Sequence, residues 1–198
     1  MVQMGVITRT GRGKLSIGTR KIFHPEISKK LKSIYTRLRI EFPYSEICVW
    51  NTAVFNEFMN HQPGRFFILV EVEKEAMEAI FLFLKDKKYP VFIQPDEDLA
   101  EKYFPDQKEI VIVKPLVSEA PLQKINELNT VTLEKMLVDI FCDNVVFSTQ
   151  QGSEMRNIFQ EAISKYETSE NRMVRYADRR GRKKQFLKYL NSISKLQQ

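Results

Sequence analysis

The stretch RFFILVEV, residues 65–72, is the strongest strand signal in the chain. Six of its eight residues are apolar, and a continuous apolar run of this length is typical of a strand that is buried on both faces. We therefore expect residues 65–72 to form a central strand of a sheet, and the rest of the chain can be arranged around that strand.

Strand and helix patterns alternate on both sides of this stretch. The strand patterns are EICVW (46–50), YPVFIQ (89–94) and KEIVIVKPL (108–116). The helical patterns between them are TAVFNEFM (52–59), which Asn51 can cap, KEAMEAIFLFLKDKK (74–88) and DEDLAEKYF (96–104). Such alternation is typical of a sheet with helices packed on it.

The flanking segments are predominantly helical. A helix is predicted in residues 24–42, with Pro25 at its first position. From Val131 onward the sequence predicts helices capped by Thr132 and by Ser153, and then two more that are separated at Gly181. The predicted fold class is α/β (α+β): a mixed sheet flanked by helices, with a helical C-terminal layer.

A different pattern opens the chain. Residues 5–18, GVITRTGRGKLSIG, predict two short strands around a tight turn. Arg9, Arg12 and Lys14 lie at or beside that turn. A lone two-stranded hairpin is marginally stable, so it needs a packing partner. It resembles the basic wing of a winged helix-turn-helix domain, which contacts DNA backbone or minor groove.

The charges are distributed unevenly along the chain. Residues 1–40 contain ten lysines and arginines against one acid, for a net charge of +9. Residues 41–171 contain 12 basic and 23 acidic residues, for a net charge of −11. Residues 172–184 contain seven basic residues against one acid, for a net charge of +6. Basic ends around an acidic middle favour contact with nucleic acid at the ends.

The second basic segment is rich in arginine, which can hold a phosphate in a bidentate geometry. On a helix, Arg172, Arg175 and Arg179 share one face. The alternative is that these arginines form intramolecular ion pairs with the acidic middle of the chain. The predicted nucleic-acid-binding residues are Arg9, Arg12, Lys14, Arg172, Arg175, Arg179, Arg180, Arg182 and Lys183.

No catalytic constellation is convincing in this sequence. There is no glycine-rich phosphate loop, no serine-nucleophile motif and no metal-ligand spacing among the two cysteines and two histidines. We therefore predict a non-enzymatic protein without cofactor or metal. The alternative enzyme is a degenerate metal-dependent nuclease that uses Glu71 and Glu73, which fall on one face of a strand, whereas Lys74 falls on the other.

The hairpin and further segments along the chain together resemble AbiEi-type antitoxins of type IV (abortive infection) toxin–antitoxin systems. The hairpin is similar to the family's G-V-I-x-R-x-G-R-G-x-Y stretch, with Leu15 in place of the aromatic residue. Residues 49–75 resemble the first strand–helix–strand unit of the antitoxin domain. Residues 131–141 resemble its T-x-E-(K/R)-x-L-x-D helix, and residues 173–183 resemble the arginine-rich helix near its end.

This resemblance implies an antitoxin and DNA-binding transcriptional regulator in a phage-defence system. The implied partners are the operator DNA of its own operon and a nucleotidyltransferase-type toxin, which the antitoxin counters without a stable complex. Two cysteines in apolar surroundings, with no signal-peptide pattern and no apolar run of about 20 residues, separately predict a cytoplasmic protein without a membrane partner. The implied domains are a wing-like hairpin at residues 1–20 and an antitoxin α/β domain with C-terminal helices at residues 21–198.

The sequence departs from the family in one respect. The recognition helices that should precede the wing are absent from the printed sequence, so the chain begins late or this member has lost them. Base-edge readout in the major groove needs such a helix. We therefore expect weak DNA binding that is largely indifferent to sequence. Besides the nuclease, the remaining alternative is a protein-interaction module whose acidic middle binds a basic partner.

Overall fold

The computed structural model describes the backbone of residues 7–11, 14–17, 21–61, 63–104 and 109–194. Side chains are described within those ranges from residue 21 to residue 193. The mixed α/β fold that the sequence predicts is confirmed, with a four-stranded mixed sheet, flanking helices and a preceding hairpin.

The N-terminal hairpin consists of β1 (Ile7–Gly11) and β2 (Lys14–Ile17). The two strands are antiparallel, and Ile7 lies opposite Ile17. The predicted division between residues 1–20 and the rest of the chain stays a prediction.

The main sheet contains β3 (Ile47–Asn51), β4 (Phe66–Val72), β5 (Val91–Ile93) and β6 (Glu109–Pro115). Its strand order is β3-β4-β6-β5, so the stretch that includes residues 66–72 is an inner strand, as predicted. β3 runs antiparallel to β4, whereas β4, β6 and β5 are parallel to one another.

Seven α-helices lie in the described part of the chain. They are α1 (Lys29–Glu41), α2 (Met77–Asp86), α3 (Glu97–Tyr103), α4 (Leu133–Cys142), α5 (Ser153–Lys165), α6 (Glu170–Arg179) and α7 (Lys183–Ser194).

The two faces of the sheet bury separate cores because side chains alternate along each strand. Ile68, Val70 and Val72 of β4 pack with residues of α1 and α2 on one face. Leu69 of β4 packs with residues of α4, α5, α6 and α7 on the other face. The C-terminal helices therefore form a layer on the sheet, as predicted. Phe66, at the start of β4, is only half-buried.

Local capping decides where the helices begin. The caps predicted at Asn51 and Thr132 are confirmed, although the segment after Asn51 is a 3-10 helix, Thr52–Glu57. The prediction that Pro25 opens the first helix is wrong, because Ser28 caps α1 and accepts a hydrogen bond from the amide of Leu31. Ser153 is also not a cap, since α5 follows Gly152, whose φ of +67° favours glycine.

One element has no counterpart in the sequence prediction. Strands β7 (Leu122–Ile125) and β8 (Leu128–Val131) form an antiparallel hairpin. Both turn residues, Asn126 and Glu127, have positive φ values of 48° and 63°. This is the left-handed geometry of a two-residue hairpin turn, and it places β8 beside β3.

Candidate nucleic-acid interface

Helix α6 presents the predicted arginine face to solvent. The side chain of Ser169 caps the helix by accepting from the amide of Arg172 at 3.3 Å. Met173, Tyr176 and Ala177 are buried in the core, where α6 packs against α4. The opposite face therefore carries Arg172, Arg175 and Arg179, with exposed side-chain fractions of 52%, 71% and 50%.

A single carboxylate serves two of these arginines. The Nε of Arg175 lies 3.6 Å from Oε2 of Glu119, and Arg179 donates to Oε1 of the same group. Glu119 holds this position with a φ of +58°, a conformation that non-glycine residues rarely adopt. Because one negative charge faces two guanidinium groups, this part of the surface keeps a positive charge.

The other basic residues of the segment 172–184 differ in their ion-pair partners and in how far their side chains are buried. Arg172 pairs with Glu134 at 3.3 Å, and Lys183 pairs with Asp178 at 2.8 Å across the turn at Gly181. Arg180 is only 16% exposed and donates to Oδ1 of Asp139 at 2.9 Å. Intramolecular pairing, the alternative considered from the sequence, is therefore present.

Arg182 is exposed, and within the described part of the chain it has no carboxylate at ion-pair distance. The nucleic-acid contacts that the sequence predicts for this segment stay predictions. Among its members, Arg180 is the one whose guanidinium lies inside the protein.

The hairpin lies near this arginine-rich helix. Cα atoms of β1 come within 8 Å of α6. The connecting segment is fixed nearby, because the amide of Glu167 donates to the carbonyl of Lys21 at 3.0 Å, just before α6 begins. Arg12 and the side chains of Arg9 and Lys14 lie outside the described residues. The backbone nevertheless places β1 close to α6, although the two elements are far apart in sequence.

Beneath α6 lies a buried charge cluster, which we define as Glu71, Lys135, Asp139, Tyr176 and Arg180. Nζ of Lys135 donates to both carboxylate oxygens of Glu71 and to Oδ2 of Asp139, each at 2.6 Å. Trp50 Nε1 also donates to Glu71, at 2.7 Å. Lys135 is completely buried, so this cluster joins β4 to α4 away from water.

The same cluster extends from α4 to α6. Oδ1 of Asp139 accepts from the hydroxyl of Tyr176 at 3.0 Å and from Arg180 at 2.9 Å. Each of the three protons on Lys135 has an acceptor, and both oxygens of Asp139 are occupied. Buried ionic groups are tolerated when they are paired and hydrogen-bonded in this way.

The electrostatic consequences follow from these contacts. Burial disfavours the charge on Lys135, but Asp139 and Glu71 outweigh it and raise the pKa of the ammonium well above its usual value. Burial likewise opposes the charge on Asp139, yet Lys135 and Arg180 lower the pKa of that carboxyl. Burial, together with the nearby Glu71 carboxylate, raises the pKa of the Cys48 thiol, so this free cysteine stays protonated.

The alternative nuclease site is not assembled among the described residues. Glu71 is 3% exposed and is held by Lys135 and Trp50. Glu73 lies beyond the end of β4, where its Oε1 accepts from the amide of Glu46 at 2.5 Å. Across the described residues no group of three or more His, Cys, Asp or Glu could hold a metal ion.

Asp139 makes the stability of the protein depend on acid. A carboxyl whose pKa is lowered by folding stabilises the fold above its unfolded pKa, and this contribution is lost as pH falls through the lower folded pKa. The free energy of unfolding should therefore drop below about pH 4, near the unfolded value for aspartate. Urea unfolding at a series of pH values measures this.

The matched variant is Asp139→Asn, which should be less stable at neutral pH and should show a smaller further decrease in acid. The assignment to Asp139 would be wrong if the free energy of unfolding fell equally in the variant and the wild type between neutral pH and pH 3.

Comparison with known proteins places the chain in a family. Within the described residues, no helix is long and apolar enough to cross a membrane. No curated protein and no solved structure matches the chain. Residues 1–196, nearly the whole sequence, match the model of one protein family. The chain belongs to DUF6577, a family of unknown function.

Proposed function

We propose that this protein is a non-enzymatic, DNA-binding regulator that acts as the antitoxin of a type IV toxin–antitoxin system. The observation that carries the DNA-binding part is the approach of β1 to α6. It brings β1, the strand that contains Arg9, close to the helix that carries the exposed arginines, so that both segments could contact one duplex.

Charge supports this surface as a phosphate site. Arg175 and Arg179 share one carboxylate, and both are at least half exposed. Exposed ion pairs of this kind contribute little to stability, so a phosphate can replace the carboxylate at small cost. The guanidinium group of arginine can bind a phosphate through two parallel hydrogen bonds. Each DNA phosphate that is neutralised in this way releases counterions, which favours binding at low salt.

The antitoxin part of the proposal rests on the resemblance of the hairpin and the further segments to AbiEi-type antitoxins. It includes repression of the shared operon, action against a nucleotidyltransferase-type toxin without a stable complex, and a cytoplasmic location. The burial of Glu71 supports a non-enzymatic role, because a carboxylate held by Lys135 and Trp50 is not free to bind a catalytic metal.

The test is the salt dependence of binding to a duplex of arbitrary sequence. Arg175→Gln with Arg179→Gln should weaken binding and flatten the log–log salt slope by about 0.9 for each phosphate that the variant no longer neutralises. The matched control is Lys85→Gln with Lys87→Gln, which removes the same charge from α2 and the residue after it, on the opposite side of the sheet. The control should leave the slope nearly unchanged.

A substitution of opposite sign sharpens this test. Glu119→Gln removes the competing carboxylate, so it should tighten DNA binding at low salt. If the arginine variant lowers the melting temperature and leaves DNA binding unchanged, the arginines serve only as intramolecular partners. Equal weakening in the arginine and lysine variants would mean that net charge, and not this surface, governs binding.

A further inference from the structure

Strand β5 forms an open edge of the main sheet. It is the last strand in the order β3-β4-β6-β5, and among the described strands it pairs only with β6. Its three residues, Val91, Phe92 and Ile93, are apolar, yet all of them are partly exposed. An edge strand of this kind presents unpaired backbone groups to which another strand can bind.

The hydrogen bonds between β5 and β6 show which backbone groups are left over. The carbonyl of Pro90 accepts from an amide of β6 at 2.8 Å, and the amide of Gln94 donates to a carbonyl of β6 at 3.0 Å. Because the backbone groups of successive residues point to opposite sides of a strand, Val91 and Ile93 direct theirs away from β6. These outward groups have no partner among the described residues.

Two copies of β5 can pair through these groups in one antiparallel register. With Val91 of each copy opposite Ile93 of the other, around a two-fold axis at Phe92, every outward N–H and C=O of both residues is bonded. A shift in one direction would place Ile93 opposite Tyr89, whose amide already donates within its own chain. A shift in the other direction would place Val91 opposite Pro95, which has no amide proton.

The same register brings opposite charges together. Lys88 precedes the axis by as many residues as Asp96 follows it, so Lys88 of each copy would oppose Asp96 of the other. Both residues are exposed, and neither forms an ion pair with a described residue. The surrounding segments continue this pattern, because residues 85–88 contain three lysines and one acid and residues 96–101 contain four acids and no base. Antiparallel pairing of identical chains is therefore favoured by charge, whereas parallel pairing would align like charges.

Apolar surface lies next to the same edge. The ring of Tyr103 on α3 lies 6.1 Å from the ring of Phe92, and Tyr103 is 42% exposed. A strand added to β5 would lie beside Phe92 and cover part of this surface, which adds apolar burial to the backbone hydrogen bonds.

We propose that two copies of this chain associate through antiparallel pairing of their β5 strands, which joins the two sheets into one continuous sheet. The proposal is independent of DNA binding, because none of the residues that it uses belongs to the basic segment 172–184 or to the N-terminal hairpin.

The first test is self-association, measured by sedimentation velocity over a range of protein concentrations. We expect the wild type to form a dimer at or below about 100 µM. Ile93→Pro removes the outward amide proton and should abolish the dimer, while the monomer should still fold because that amide has no partner within its own chain. The matched control is Ile93→Val, which keeps the amide at a similar side-chain volume and should still dimerise.

The second test exchanges charges and addresses the register. Lys88→Glu should weaken self-association by about 5- to 30-fold, because both exposed ion pairs of the dimer become repulsive. Asp96→Lys should have a similar effect, and its melting temperature reports the loss of the cap of α3. An equimolar mixture of these two variants should dimerise about as well as the wild type, since each exchanged residue then opposes one of opposite charge. The control Lys32→Glu, on an exposed position of α1, should leave self-association unchanged.

Three results would overturn the proposal. The first is a wild type that stays monomeric at about 100 µM, which includes the case in which this edge binds a different protein. The second is a dimer that Ile93→Pro and Ile93→Val form equally well, because the interface would then lie elsewhere. The third is a mixture of the two folded charge variants that stays monomeric. The proline variant and the mixture are independent, so either decides the matter if a variant of the other test does not fold.

Discussion

Replacing Lys135 with methionine is expected to lower the free energy of unfolding by about 3–5 kcal/mol, the cost of removing one partner from a buried charge pair. The substitution nearly keeps the length of the side chain but leaves two buried carboxylates, Glu71 and Asp139, without the ammonium that neutralises them. Urea unfolding at neutral pH measures the decrease.

Two comparisons define what this decrease means. Lys184→Met removes an exposed lysine of α7 and should change stability by no more than about 0.5 kcal/mol. Adding Glu71→Met to Lys135→Met removes one of the stranded carboxylates, so the double variant should recover part of the stability. A decrease below about 1 kcal/mol for Lys135→Met would place the cluster in contact with water, because exposed ion pairs are worth that little.

The second large effect is expected at Leu137 in the centre of α4. This side chain is completely buried in the core between the sheet and the C-terminal helices. Leu137→Ala should therefore destabilise the protein by about 2–5 kcal/mol, because less apolar surface is buried and a cavity remains. Thermal or urea unfolding gives the value.

Leu82→Ala on α2 is the matched comparison, because Leu82 is 55% exposed and lies in a helix of similar length. Its expected cost is about 0.5 kcal/mol or less, as is usual for a surface change. Equal costs at the two positions would show that α4 does not pack as described.

Much of the fold was predictable because each main-sheet strand is an apolar run and each long helix has an apolar face. RFFILVEV became an inner strand, and Thr132 caps α4 as its position before an apolar helix indicates. The hairpin of β7 and β8 was missed because its strands are four residues long and its turn lacks glycine. Asn126 and Glu127 adopt the left-handed backbone geometry of this turn, which the sequence pattern does not predict.

The buried charge cluster was less accessible from sequence. Lys135 and Asp139 are four residues apart on a helix, a spacing that usually indicates an exposed ion pair. Both side chains are buried because α6 covers the polar side of α4. Glu71, which pairs with Lys135, is 64 residues away from it in the sequence. The one local indication of a buried charge cluster was Glu71, a charged residue in the otherwise apolar strand β4.

The strand order of the main sheet also constrains how the chain is built during translation. β5 precedes β6 in the sequence but reaches the sheet only through β6, which inserts between it and β4. Until residue 115 has been translated, β4 presents an open edge of unpaired backbone groups and β5 lacks its native neighbour. Open edges of this kind pair readily with other chains. The nascent protein therefore passes through an aggregation-prone stage before the last strand of this sheet, and the C-terminal helices that cover one of its faces, have been made.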